Sequence, residues 1–125
     1  MEELEYKILQ NEVAISLLID SSESFDADKI ELLGSLVRLM YRKNIEFFQK
    51  DLEDKLDEKN AKRFWFYVNS LKRLGDQIQK YLILHKLSRN GIFDFYSIQR
   101  ELQSMMIESA SCLLGIIDVY TLALK

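Results

Sequence analysis

His85, in LILHKL, and Cys112, in SASCLLG, are the only histidine and the only cysteine of the 125 residues. One of each excludes the four-ligand nitrogen and sulfur sets that hold structural zinc. Two Glu-x-x-His pairs, which a carboxylate-bridged di-metal bundle requires, are likewise impossible with a single histidine. An RNase of the HEPN type needs an arginine a few residues before its histidine, and the nearest one ahead of His85 is Arg73. His85 therefore reads as a surface or interface side chain and not as a general base. Cys112 lies in an apolar run, where an inert buried thiol is expected.

The other reactive types are no better placed. Serines occur, but no histidine–carboxylate constellation can be built around them. The four glycines stand isolated at 34, 75, 91 and 115, so no phosphate-cradling loop is present. Glu46, Asp51, Glu53, Asp54, Asp57 and Glu58 gather in a charged turn without the apolar cover that separates the pKa values of an acid–base pair. No enzyme and no cofactor are expected. What stands out instead is AKRFWFYVNSLKR at Ala61–Arg73, with five consecutive bulky apolar residues. At 100° per residue they point all the way round a helix. One side can build the core; the other asks for a partner. The expected contact surface comprises Phe64, Trp65, Phe66, Tyr67, Lys72, Arg73, Tyr81 and His85, because Trp, Tyr and Arg anchor protein interfaces.

Four helices are needed to position these residues. Without proline and with four glycines, the chain has little to interrupt long helices. Leu4, Ile8, Leu9, Val13, Ile15, Leu17 and Leu18 keep helical spacing over about Glu2–Ile19. The polar SSESFDAD, anchored by Phe25, breaks the pattern, and Asp26 or Asp28 can cap the next helix. That second helix carries Ile30, Leu33, Val37, Met40, Tyr41, Phe48 and Leu52, with Leu32, Leu36 and Leu39 as another flank for a second neighbour. Asp57 or Asn60 would cap a third helix over about Ala61–Arg89, ended by Gly91 in the left-handed conformation. Gly75 in its middle costs about 1 kcal/mol relative to alanine, so it points to a close crossing or a kink. The last helix starts near Asp94 or Ser97 and uses Ile98, Leu102, Met105, Met106, Leu113 and Leu114. Past Gly115 the chain can finish helical or extended, with helix favoured. The expectation is a single all-α domain over 1–125, a bundle of four long helices.

Composition narrows the classes further. The formal charge is −3 and the pI about 5.2, which disfavours a dedicated nucleic-acid binder. The start MEELEYK is acidic where a secretory leader is basic. The most apolar run, CLLGIIDVYTLALK, contains Asp118 and is shorter than the ~20 residues of a bilayer span. One cysteine suits a reducing compartment. A soluble intracellular protein follows as the expectation.

SFDADKIELLGSLVRLMYRKNIEFF, LDEKNAKRFWFYVNSLKR and QKYLILHKL together resemble the helical domain of GINS subunits, of the Psf-one type. The resemblance rests on Phe25, Asp26 and Asp28 at a helix start, on Arg42, Lys43, Asn44, Glu46 and Phe47, and on Leu56, Asp57, Lys59, Ala61 and Lys62. Arg73, eight residues before Tyr81, completes it. It covers about residues 25–89. Leu74, Gly75 and Asp76 follow Arg73 where the family has a basic cluster, and the family's small β-rich C-terminal domain is not among these residues. The resemblance implies a non-enzymatic scaffold subunit, assembled with sister GINS subunits. Through them it would reach the MCM ring and a RecJ-like Cdc partner of the replicative helicase. It implies the nucleus in a eukaryote and the cytoplasm otherwise. A stand-alone homodimeric adaptor or antitoxin-like regulator is the alternative from the residues alone, with a single-strand-binding module third.

Overall fold

The computed structural model describes residues 2–88 and 94–124. They form four α-helices and, among the described residues, no strand: α1 (Glu2–Ser22), α2 (Ala27–Phe47), α3 (Glu58–Ser88) and α4 (Phe95–Leu124). The all-α expectation holds. A π-helical segment, Phe48–Leu52, prolongs α2. It is marked by the Glu53 N–H donating to the Phe48 carbonyl five residues back, at 2.8 Å.

Capping residues set three of the helix starts. Asp26 accepts from the N–H groups of Asp28 and Lys29. Asp57 accepts from Asn60 N–H at 2.8 Å, and Asp94 from those of Tyr96 and Ser97. Each carboxylate satisfies donors that a first helical turn leaves orphaned. The hydrogen bonds from Ser97 hold the Asp94 carboxyl below its ordinary value. The stop expected at Gly91 lies outside the described residues.

The helices contact one another round a ring, α1–α2–α3–α4 and back to α1. Consecutive helices run antiparallel: Gly34 meets Ile78 while Gly75 meets Val37 and Arg38. Tyr67 likewise meets Gly115 while His85 meets Gln99. Gly75 is thus a close crossing. A methyl group there would stand 3.2 Å from Arg38 Cγ, and one at Gly34 would stand 2.9 Å from Ile78 Cγ2. α4 stays helical through Gly115 to Leu124, so the tail finishes as helix.

The core is continuous from Leu4 and Leu18 through Ile30 and Val37 to Leu71, Ile78, Leu102 and Leu113. A polar knot sits inside it. Asn11 and Asn44 exchange side-chain hydrogen bonds at 3.1 and 2.9 Å, and Tyr120 Oη donates to Asn44 Oδ1 at 2.7 Å. The remaining amide hydrogens go to the carbonyls of Lys7 and Met40. All three residues are fully buried, and the links join α1 to α2 and α4 to α2 or close on their own helix. Such a satisfied network fixes register, because sliding any helix would strand several polar atoms.

The expectation for CLLGIIDVYTLALK changes in context. The run itself is short, but it belongs to a 30-residue helix that by length and composition could cross a bilayer. In the bundle, α4 instead buries Ile98, Leu102, Met106, Leu113, Ile116 and Val119 against α1 and α3, as a core helix does.

Candidate functional site

FWFYV is divided by the fold, one residue at a time. Phe64 is fully buried and stacked on Phe48, ring centroids 4.0 Å apart. Trp65 is half-buried and packs edge-on against both Phe48 and Phe64. Tyr67 lies over α4, and its ring occupies the space that a Cβ at Gly115 would fill, only 2.5 Å away. Val68 is core. Phe66 alone points outward, 67% exposed. The second side of α3 is therefore covered mostly by the π-helical segment and α4 of the same chain.

Two of the expected contact residues are corrected outright. Phe64 is interior for the reason just given. His85, expected at the surface, is 1% exposed. Its ring lies between Phe25 and Phe95, at 4.8 and 4.4 Å, and its Nε2 is 3.3 Å from Gln99 Nε2. It joins the α1–α2 connection to α3 and to the start of α4. An aromatic clamp of this kind has no signature in the sequence, since Phe25 and Phe95 lie sixty and ten residues from His85. Trp65, Tyr67 and Tyr81 are half-buried and pack on the core. Lys72 and Arg73 are exposed. Cys112 is partly buried, and burial together with Glu108 pushes its thiol up, away from nucleophilic character.

Ile83 and Leu87 of α3 and Tyr96, Ile107 and Leu114 of α4 are exposed singly, but the longest open apolar stripes lie on α1 and α2. Leu9 and Val13, placed by their spacing in the first helix, are 54% and 53% exposed, with Tyr6 above and Leu17 below on the same stripe. On α2, Leu32 is 73% exposed and Leu39 extends that line. The two neighbours expected for α2 are α1 and α3, and Leu36 of this flank packs on the core, while Leu32 and Leu39 stay open. Tyr6, Leu9, Gln10 and Val13 of α1 face Leu39, Met40 and Lys43 of α2 across a shallow groove of about 330 Å³. In the adjoining depression shared with Glu3, Glu46 and Phe47, partial burial, with Lys43 nearby, lowers the pKa of Lys7. Steps of three and four residues reveal a helical stripe but not which stripe is core. α1 carries two, and Leu4, Ile15 and Leu18 take the inner one.

No family model, no curated protein and no solved structure matches the chain. Its function must be read from this surface.

Among the described residues no group of three His, Cys, Asp or Glu side chains could hold a metal ion. One other depression, at the α2–α3 crossing, is lined by Gly34, Gly75, Ile78 and Leu82 with Glu31, Arg38 and Lys86 at its edge; another lies between the mostly charged Arg38, Tyr41, Arg42, Lys72 and Asp76. The acidic turn at 53–58 is solvated, with Asp57 spent on capping and Glu58 paired with Lys62 at 3.2 Å.

Proposed function

We propose that this chain is a non-catalytic helical subunit that works by docking onto another protein, with the α1–α2 groove as its working surface. The observation that carries this reading is the pair of open apolar stripes, Tyr6–Leu9–Val13–Leu17 and Leu32–Leu39. All six are between 39% and 73% exposed, and a contiguous apolar face of this kind marks an interaction site. A standard interface takes ~800 Å² per partner, with a polar rim round such an apolar centre. Their spacing suits an amphipathic helix laid along the groove.

The resemblance of residues 25–89 to GINS subunits supports a finer form of the same reading. The chain would be a scaffold subunit of a GINS-type hetero-oligomer that supports the replicative helicase. Sister subunits would cover the stripes, and the MCM ring and RecJ-like Cdc partner would be reached through the complex. In a eukaryote its place would be the nucleus.

Co-expression with sister subunits, followed by sedimentation, tests both levels. The parent chain should enter a stoichiometric complex, and Leu9→Lys with Leu39→Lys should abolish it while leaving helical content unchanged. Self-association of the chain alone, lost in the same variant, would make a second copy the partner and remove the GINS-type form. A clean monomer that neither self-associates nor binds would end the docking reading.

A further inference from the structure

Charge is segregated between the helices far more than the net value suggests. α3 holds seven lysines and arginines against two acids, Glu58 and Asp76, a formal excess of five positive charges. The whole chain is −3, so the rest of the molecule carries −8. A helix face meant only for solvent gains from interspersed opposite charges at three- and four-residue steps. Here one face has almost none. Lys59, Lys62, Phe66, Arg73 and Lys80 fall at intervals of three, four, seven and seven residues and are all exposed. They form a single line roughly 32 Å long at 1.5 Å per residue.

Neighbouring side chains widen the line into a surface. Asn69, Lys72, Arg73, Asp76, Gln77 and Lys80 border one shallow depression on α3. Arg38 and Arg42 of α2 meet Lys72 across a second. Asp76 pairs with Arg38 at 3.9 Å and Glu58 with Lys62 at 3.2 Å, which leaves Lys59, Lys72, Arg73 and Lys80 to carry the positive charge of this face. Phe66, 67% exposed, stands in the middle of this cationic face.

We propose that the outward face of α3 is a second docking surface, for an acidic protein segment that carries an apolar anchor. The cations supply steering and register, and Phe66 supplies the one apolar contact. A single-stranded nucleic acid fits less well. Stacking needs several aromatic platforms along the strand, and Phe66 is the one exposed aromatic in this line. An extended polyanion would also run past the −8 of the other elements, whereas a short acidic segment meets α3 alone. This surface does not overlap the α1–α2 stripes, so the two docking readings stand or fall separately.

The test uses the full chain and three labelled probes in fluorescence anisotropy: a glutamate-rich peptide with one central phenylalanine, the same peptide with alanine there, and a single-stranded DNA dodecamer. The phenylalanine peptide should bind at low salt and weaken about tenfold between 50 and 200 mM salt. Arg73→Glu with Lys80→Glu should weaken it at least tenfold. Phe66→Ala should weaken it several-fold and erase the preference for phenylalanine over alanine. Lys50→Glu with Lys55→Glu, in the segment that precedes α3, should weaken binding less than Arg73→Glu with Lys80→Glu does. All substituted side chains are exposed, and unchanged thermal melts would verify the fold. Three results would overturn the proposal: no peptide binding at low salt, equal binding by the α3 variants, or tighter binding of the oligonucleotide than of the peptide.

Discussion

Asn44 shows best how a single side chain can decide this fold. Its oxygen accepts from both Asn11 and Tyr120, while its amide donates to Asn11 and to the Met40 carbonyl. Asn44→Leu would leave the buried Tyr120 hydroxyl and the Asn11 amide unmatched, and an unmatched buried polar group costs about 1–3 kcal/mol. A urea titration should show a loss of roughly 2–4 kcal/mol on that scale. The triple change Asn11→Leu, Asn44→Leu, Tyr120→Phe removes both donors and acceptors together. It should cost less than Asn44→Leu alone, since an all-apolar replacement leaves nothing unsatisfied. Tyr120 also sets a pH limit. Burial pushes its hydroxyl well above the ordinary 10.0, so above pH 10 the unfolded chain releases a proton that the folded chain keeps. Stability is complete below that pH and falls as pH rises through it. Tyr120→Phe should flatten the alkaline limb of a stability profile; an unchanged slope would show that another group causes it.

At the level of elements, the helices and their starts were legible because the signals are local: Asp26, Asp57 and Asp94 each cap within three residues of themselves. Inner and outer faces were not, because they depend on which helix arrives alongside. Leu9, Val13 and Leu17 have the spacing of core residues, yet Ala14 and Leu18 hold the inner face. For α3 the doubly apolar pattern suggested a partner chain, and the fold supplies Gly115 and the π-helical segment instead. Gly115→Ala should therefore be overpacked against Tyr67 and cost about 1–3 kcal/mol. Tyr67→Ala should lower that penalty when combined with it, a coupling readable from a double-mutant cycle. Within FWFYV the ranking follows burial. Trp65→Ala should destabilise the isolated chain by about 1–3 kcal/mol, short of the ~3–5 kcal/mol of a fully buried tryptophan. Phe66→Ala should stay within about 0.5 kcal/mol, as surface positions do. Equal losses at the two positions would mean that Phe66 is also packed within the chain.

Across the whole molecule, stability and association draw on different surfaces. The core from Leu4 to Val119 closes the ring of helices without Leu9, Val13, Leu32 or Leu39, and the cations of α3 stand on the outward side of their helix. Replacing Leu9, Val13 and Leu39 together by glutamine removes apolar area already in contact with water, so little transfer free energy is at stake in the isolated chain. Glutamine also keeps helix propensity near that of leucine and above that of valine. The triple variant should melt within a few degrees of the parent, consistent with a change below about 1 kcal/mol in a chain of this size. It should also sediment as a less associated species and fail to enter any complex that the parent forms. A single substitution one step inward, Leu18→Gln, should behave in the opposite way. It places an amide in a fully buried site, and chemical denaturation should show a loss of several kcal/mol whatever the state of association. If the surface triple lost as much stability as Leu18→Gln, the stripes would belong to the core and no docking surface would remain on α1 and α2.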